Sequence, residues 1–484
     1  MQAVNLNAPS SGRDRSWWQR DVMTQNIGEA DEAGRPGQTG QLDGTEVEVV
    51  IVGGGFTGLW TALTLKERAP DLRIMLVEAN RCGSGASGMN GGKCHGYWGS
   101  LPGLVASLGP DGALAVCRAS SRAQDGIRDF VKGSGADVWW RDAGHAKVST
   151  SPAQDKSIDV IVDLARELGV ADMAIRLERE ETQAICGTAA FRKAVFFPEG
   201  ANLHPARLVQ VLKHAVLDRG VRIVENTAVK RVTPGKFSRV EMTNGAVVAR
   251  DVVLAANTGL AGIAGISSHV SVFSSYAVMT EPAPEQLEEA GWTNGIGLSD
   301  GRMFIHYFRT TADGRVLMGS GSGPIAYGGQ DGGAAMWTDP ASIGRAEAGI
   351  RRLLPFISDV AIDSGWGGAI DVSSDRLPIF RTIEGTRIHY GCGFSGHGIN
   401  PSYIAGQCIA SLVQRTEDDW TALPFCRRTL PTLPPEPFRY VGGNIVRWGI
   451  MTREDAEDRQ VRTPLLARAA AGLPRAMGLK IGVR

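Results

Sequence analysis

Residues 47–53 read V-E-V-V-I-V-G, apolar apart from one glutamate, and predict a strand buried on both faces as in a parallel sheet. Apolar positions then recur at helical spacing over 58–67, and 74–77 (I-M-L-V) is apolar again, so the three stretches form a β-α-β unit of about 30 residues. From about 100 to 190 the spacing is that of amphipathic helices; in 157–169 the apolar face is Ile158, Ile161, Val162, Leu164 and Leu168. Over 203–254 the pattern predicts a helix, strands at 221–224, 229–232 and 240–242, a turn at Asn244-Gly245, and an apolar strand at 252–256. Residues 270–325 read as antiparallel strands with a turn at Asp313-Gly314, 326–335 as a glycine-rich loop, and 363–415 as strand, turn and helix again. The ends differ from the body. Residues 1–45 form a polar arm whose adhesive feature is Trp17-Trp18, expected to pack on the body because exposed indoles are costly, and 431–484 is a Pro- and Arg-rich tail with short helices.

Composition narrows the function classes. The chain has 484 residues, two to three domains' worth or one large interleaved enzyme, and 51 basic against 51 acidic residues. No global field draws it to nucleic acid or an anionic membrane, so a small-molecule partner is expected. Its seven cysteines include no C-x-x-C pair, which argues against a disulfide framework or zinc ribbon and for a reducing compartment. With no apolar signal region near the start and no uninterrupted apolar window of about 18 residues, a cytoplasmic chain without a membrane span is expected. His204 and the Cys94-His95 pair lack partners at ligand spacing, so no metal site is predicted. The tail arginines 447, 453, 459, 462 and 468 alternate with acids 454, 455, 457 and 458, which reads as a solvated face.

The most specific motif is Gly53-x-Gly55-x-x-Gly58 between the first strand and helix, with Glu78 twenty residues beyond Gly58 at the end of the second strand. Gly53 permits the tight turn, Gly55 lets a pyrophosphate approach the backbone, and Gly58 lets helix pack on strand. The N–H groups of the first turn, at Phe56 and Thr57, face the anion, and Glu78 is placed to accept hydrogen bonds from ribose hydroxyls.

The stretch after Glu78, A-N-R-C-G-S-G-A-S-G-M-N-G-G-K over 79–93, resembles the D-amino-acid oxidase superfamily of flavoproteins, in which G-A-S-x-x-N-G-G wraps FAD. The matching residues are Gly85, Ala86, Ser87, Asn90, Gly91 and Gly92, with Ala79 and Arg81 beside them. The resemblance runs through N-L-H-P-A-R-L at 202–208, Val229 and V-V-L-A-A-N at 252–257, and spans roughly 45–415. It implies that Val229 clasps the adenine through its backbone and that Ala256 adjoins it. His204, before a proline at a helix start, is expected to cap that helix. Asn90 falls where some relatives tether the flavin through histidine, which implies noncovalent FAD. In the family the stretch Gly391-Cys-Gly393-Phe-Ser-Gly396-His397-Gly398-Ile399 offers a helix N-terminus to the negative charge that reduction places at flavin N1 and C2 carbonyl.

The block 366–378, W-G-G-A-I-D-V-S-S-D-R-L-P, departs from the W-x-G-x-R-P of amino-acid oxidases in the superfamily, whose arginine clamps the substrate carboxylate. Ile370 stands at the arginine position and Asp371 at the proline position. The pattern is similar to that of the γ-glutamylputrescine oxidase subgroup, as are Tyr307-Phe-Arg309 and the aromatic arm. The resemblance implies a mixed α/β fold: a Rossmann-like FAD-binding domain from 46–100, 195–268 and 363–430, interleaved with an antiparallel-sheet substrate domain from 101–194 and 269–362. It implies oxidation of a C–H next to an amine nitrogen by hydride transfer to flavin, with water hydrolysing the imine and oxygen or an electron carrier as acceptor. A sarcosine- or glycine-oxidase type of reaction and an NAD(P)H-using hydroxylase are the alternatives. Candidate groups in the substrate pocket are His397, Tyr307, His306 and Arg309, the last for a distal anionic group, with Arg302 and Arg376 as other routes to that charge.

Overall fold

The computed structural model describes residues 3–6, 16–25, 45–330 and 333–476. Most of the predicted arm, two residues of the glycine-rich loop and the last eight of the tail lie outside the described residues.

Thr45–Val52 is the strand its apolar run predicts. It pairs in parallel with Ile74–Val77 on one side and with Gly245–Leu254 on the other, Val50 opposite Met75 and Ile51 opposite Val253. Ile388–Cys392 continues the parallel set alongside Leu254, and Arg222–Val224 extends it beyond Ile74–Val77. Both faces are buried because both are covered. Val49 and Ile51 pack with Leu59 and Leu63 of the helix Phe56–Arg68 and Ile409 of the helix Ile399–Gln414. Val50 and Val52 pack with Met75, Val252 and Leu254 on the opposite side. Glycine-free alternation of β-branched residues suits this doubly covered position.

A second sheet of eight strands runs Ile362–Ser373, Val270–Thr280, Val316–Ser320, His306–Thr310, Gly297–Asp300, His145–Val148, Ala194–Phe197, Ile175–Leu177. Its pairs are antiparallel except Gly297–Asp300 with His145–Val148. The helix Pro340–Leu353 covers one face through Ala346, Ile350 and Leu353. On the other face, residues 271, 273, 275 and 277 and residues 366, 368, 370 and 372 turn toward one cavity, the two-residue period of a strand with one wet side. This corrects the boundaries read from the sequence. Ile362–Ser373 and Ala194–Phe197 belong to the substrate sheet, and the chain returns to the cofactor sheet only at Ile379–Thr382. The polar, glycine-rich 363–373 has the local look of a cofactor loop because its glycines resemble those of 391–398; they serve a long ladder with Val270–Thr280 instead.

The helix Leu101–Ser134 bends at Gly109 (φ 74°) and Pro110. It carries a window long and apolar enough to cross a membrane, and its buried side, Val116, Cys117, Ser120, Gln124 and Ile127, packs within the protein core. Trp17 and Trp18 are buried against Trp139 and His204. The tail contains longer helices than its composition predicts, Phe438–Asp458 and Leu465–Ala476.

Candidate active site

The turn after Thr45–Val52 is held by close backbone approach. Gly53 has φ +112°, and a Cβ there would lie 2.4 Å from the Ala255 carbonyl oxygen; one on Gly58 would lie 2.0 Å from that of Gly53. These contacts seat the helix Phe56–Arg68 directly on the strand ends, with Ala256 beside Gly53. Its N-cap, Gly55, has no side chain to bond the first turn, and Phe56 N–H donates instead to Ser87 Oγ at 2.9 Å. Thr57 packs toward Gly391, bringing the two glycine-rich loops together. Glu78 Oε2 accepts the Gly54 N–H at 2.7 Å and Oε1 the Asn80 N–H at 2.9 Å, and burial raises its pKa. The segment before Val229 adjoins this acid, with Thr227 N–H donating to the Glu78 carbonyl at 2.9 Å and Asn226 N–H to the Asn80 carbonyl at 2.7 Å, while Val229 itself pairs with Met242. Arg81 is exposed.

Gly85 caps the short helix Ala86–Met89. Asn90 folds back on it: Nδ2 donates to the Ala86 and Ser87 carbonyls at 3.1 and 2.8 Å, and Oδ1 accepts the Gly92 N–H at 2.8 Å. The loop 391–398 turns at Gly393 (φ +79°) and Gly396 (φ +78°) and delivers Gly398 as the N-cap of Ile399–Gln414, again without a side-chain cap. Asp371 fastens it from below. Its carboxylate accepts the N–H groups of Gly393 (2.5 Å) and Phe394 (3.1 Å), and burial pushes its pKa up to about 7. In the sequence Asp371 stands out only as a departure from a motif; the structure shows a positioning residue.

Between these loops and the second sheet lies a cavity of about 990 Å³ lined by Asn90, Gly91, Tyr307, Ile370, Gly396, His397, Gly398 and Ile399 among others. The sequence candidates divide here. Tyr307 stands over Gly91 with its hydroxyl 3.3 Å from Ser275 Oγ, and His397 is in the wall. His306 and Arg309 are not in it. His306 points to the other side of its strand, where Nδ1 lies 2.8 Å from the Asp300 carboxylate. Arg309, 2% exposed, donates to the Gly91 carbonyl at 2.8 Å and the Leu203 carbonyl at 2.6 Å, with its guanidinium 4.9 Å from the Trp18 ring. Its donors lock the loop 91–92 in place, so the expected role as an anion anchor does not match its position.

Three groups that sequence reasoning misses line the cavity together: Lys93, His95 and His145. His95 stacks between His145 (4.7 Å) and His397 (4.5 Å). Carbonyl oxygens only accept, so the 2.7 Å contact of His397 Nε2 with the His95 carbonyl places a proton on Nε2 and leaves Nδ1 a bare lone pair. The same reasoning at His95 Nδ1 and the Gly96 carbonyl, 3.1 Å apart, leaves His95 Nε2 bare. Burial holds both imidazoles neutral, His397 at about 4 and His95 well below the usual histidine range. Lys93 Nζ donates to the Leu298 carbonyl at 2.6 Å, and burial, with the charge of Arg309 second, lowers its pKa well below the usual lysine value. The alternation Lys93, His95 directly after Gly91-Gly92 was the available signal. Arg376 also lines the cavity, with φ +62°. Its side chain is exposed, and it makes no ion pair among the described residues.

Residues 48–412 match the family model described as FAD dependent oxidoreductase. The chain is 26% identical over 404 residues to the gamma-glutamylputrescine oxidoreductase of Escherichia coli, 83% of this chain and 89% of that protein. It is 26% identical over 377 residues to a probable oxidoreductase OrdL of Haemophilus influenzae, 76% and 82% of the two chains. Among solved structures, glycine oxidase from Geobacillus kaustophilus shares the fold with a TM-score of 0.66 at 20% identity, covering 80% of this chain and all of that one. The residues fit FAD: the helices beginning at Phe56 and Ile399 have glycine N-caps without side chains, glycines clear the backbone approach at 53–58, and the carboxamide of Asn90 offers no nucleophile for a covalent bond.

Proposed function

Since the chain belongs to the FAD-dependent oxidoreductase family matched over residues 48–412, we propose that it oxidises the C–H bond beside an amine nitrogen in a substrate that also carries an anionic group. FAD, held noncovalently by the Gly53–Gly58 turn, Glu78 and the 391–399 loop, supplies the acceptor for the hydride. The product is an imine that water hydrolyses to an aldehyde or keto compound, and oxygen or an electron carrier takes up the electrons. The similarity to the Escherichia coli gamma-glutamylputrescine oxidoreductase supports an amine as substrate.

The observation that carries this reading is the division of labour among the cavity's side chains. An ammonium group has no lone pair with which to expel a hydride, so the site must receive or create the neutral amine. Burial disfavours the charged form of Lys93, as it would that of a substrate ammonium, Arg376 adds a positive charge to the wall, and the bare nitrogens of neutral His95 and His397 can accept a hydrogen bond from the amine. Tyr307 and the apolar Ile370, whose Cδ1 lies 3.4 Å from where a Gly396 Cβ would be, shape the wall beside the reacting carbon. A carboxylate placed against Ile370 would lose solvation without a partner; one placed farther off meets Arg376. The test compares kcat/KM for a γ-glutamyl-amide amine with glycine, sarcosine and D-alanine. The amine is expected to lead, and Arg376→Met should raise its KM about 30-fold, the equivalent of roughly 2 kcal/mol for a lost charge-assisted contact, with kcat little changed. An amino acid turned over better than the best amine refutes the proposal.

A further inference from the structure

The tail lies beyond the family match, which ends at residue 412, and its charges are sorted by the fold. Three of the four acids of Phe438–Asp458 are engaged: Glu454 Oε1 accepts the Met303 N–H at 2.6 Å, Asp458 pairs with Arg302 and, at 3.4 Å, with Arg352, and Glu457 lies 3.6 Å from Arg453 one turn away on the same helix, while Asp455 is exposed. Arg447 is used in docking too, donating to the Ser322 and Gly323 carbonyls at 2.7 and 2.9 Å. Exposed beside Asp455 are apolar and basic side chains. Val441, Ile445 and Trp448 stand 53%, 45% and 50% exposed at helical spacing, and Leu465 and Leu466 of the next helix are 77% and 78% exposed. Arg459, Arg462 and Arg468 are exposed alongside them. Residues 461–484 carry five basic side chains and no acid.

We infer that this helical pair is an interfacial docking surface for an anionic lipid bilayer. An amphipathic helix with Trp and Leu on one face and arginines flanking it lies in the headgroup boundary, where apolar burial and attraction to anionic lipid add. A partner made of protein would need acids opposite the arginines as well as an apolar centre; a lipid surface meets both needs over the whole patch without shape complementarity. The balance of exposed charge carries the choice: against Asp455 stand Arg459, Arg462 and Arg468, and residues 461–484 hold no acid, an excess that the neutral total of the chain conceals. Phe438, 71% exposed, and Leu473, 40% exposed, belong to the cavity wall as well as to this surface. Docking therefore sets the mouth of the substrate cavity against the bilayer. The inference is independent of which amine is oxidised.

The experiment is flotation of the full-length holoenzyme with vesicles of phosphatidylglycerol and phosphatidylcholine, or phosphatidylcholine alone, at low and high salt, with sedimentation velocity alongside. Binding to the anionic vesicles at least tenfold above the zwitterionic ones, weakened by salt, is expected. The variant Trp448→Ser, Leu465→Ser, Leu466→Ser and the variant Arg459→Glu, Arg462→Glu, Arg468→Glu should each lose it tenfold or more. Flavin content and melting temperature separate lost docking from lost fold, because none of these six side chains lines the cavity. No binding to anionic vesicles overturns the inference, and so does self-association that the Leu465→Ser, Leu466→Ser change abolishes while vesicle binding stays at background.

Discussion

Replacing Gly58 by alanine adds one carbon at the point where the cofactor helix meets the strand. That carbon would sit 2.0 Å from the Gly53 carbonyl oxygen and 3.2 Å from Ile51 Cγ2. Ordinary contact begins at about 3.4 Å, so roughly 1.4 Å of separation must be found. The obstructing atom is backbone, and Gly53 is itself wedged against the Ala255 carbonyl, so it cannot yield. The helix cannot yield either without cost, because residues 56–66 are all buried. Overpacking of this kind costs about 1–3 kcal/mol in stability. A shift of that size also carries the first-turn N–H groups out of hydrogen-bond range of a pyrophosphate. Losing one such charge-assisted bond, about 1.5–3 kcal/mol, weakens FAD binding roughly 10- to 150-fold. Fluorescence titration of FAD into the apoprotein measures the affinity, and urea unfolding measures the stability. Gly133→Ala is the control: it lies in a helix with open space around its Cβ and should be neutral or slightly stabilising. A Gly58→Ala protein that binds FAD like the wild type would show that the helix is not seated as described.

Asp371 gives a pH signature. Its folded pKa of about 7 exceeds the ordinary 3.8, so between about pH 4 and 7 the unfolded chain releases this proton first and stability falls as pH rises, by about 4 kcal/mol in all. Asp371→Asn should flatten unfolding free energy over that window; an unchanged slope refutes the assignment. Arg309→Lys forfeits the fork that holds both the Gly91 and Leu203 carbonyls, with an expected loss of about 2–4 kcal/mol in urea unfolding and weaker FAD retention, but KM for the amine in flavin-saturated protein should be unmoved. A rise in KM confined to anion-bearing amines would return Arg309 to the pocket. Acid precipitation should release all the yellow colour as FAD, since Asn90 is folded onto its own loop; colour remaining with the precipitate would show a covalent bond.

How far this molecule can be read from its sequence depends on contact range. The turn proposed to hold the cofactor was legible as strand, turn, helix and Glu78 because these are contiguous, whereas the close approach of Gly53 to the Ala255 carbonyl comes from a strand about two hundred residues on. The substrate wall was not, because it is assembled from strands at 145–148, 270–280, 306–310 and 362–373 whose facing depends on the whole sheet. One error was avoidable. Side chains alternate along a strand, so His306 and Tyr307 could not both face the cavity, and choosing Tyr307 excludes His306. Arg309 shares Tyr307's face but sits one step beyond the cavity's end, a distance that only the packed loop 91–92 and Trp18 define. The same alternation would have put Lys93 and His95 forward together after Gly91-Gly92. Arg376 obeys no period, since it emerges from a turn with positive φ. The tail repeats the lesson with helical spacing: acids at 454 and 458, one turn apart, both reach the body of the protein, at Met303 and Arg302, while Asp455 between them stays exposed. Chemistry common to the family is thus written in local, backbone-shaping residues, whereas choice of substrate and surroundings is written in long-range placement.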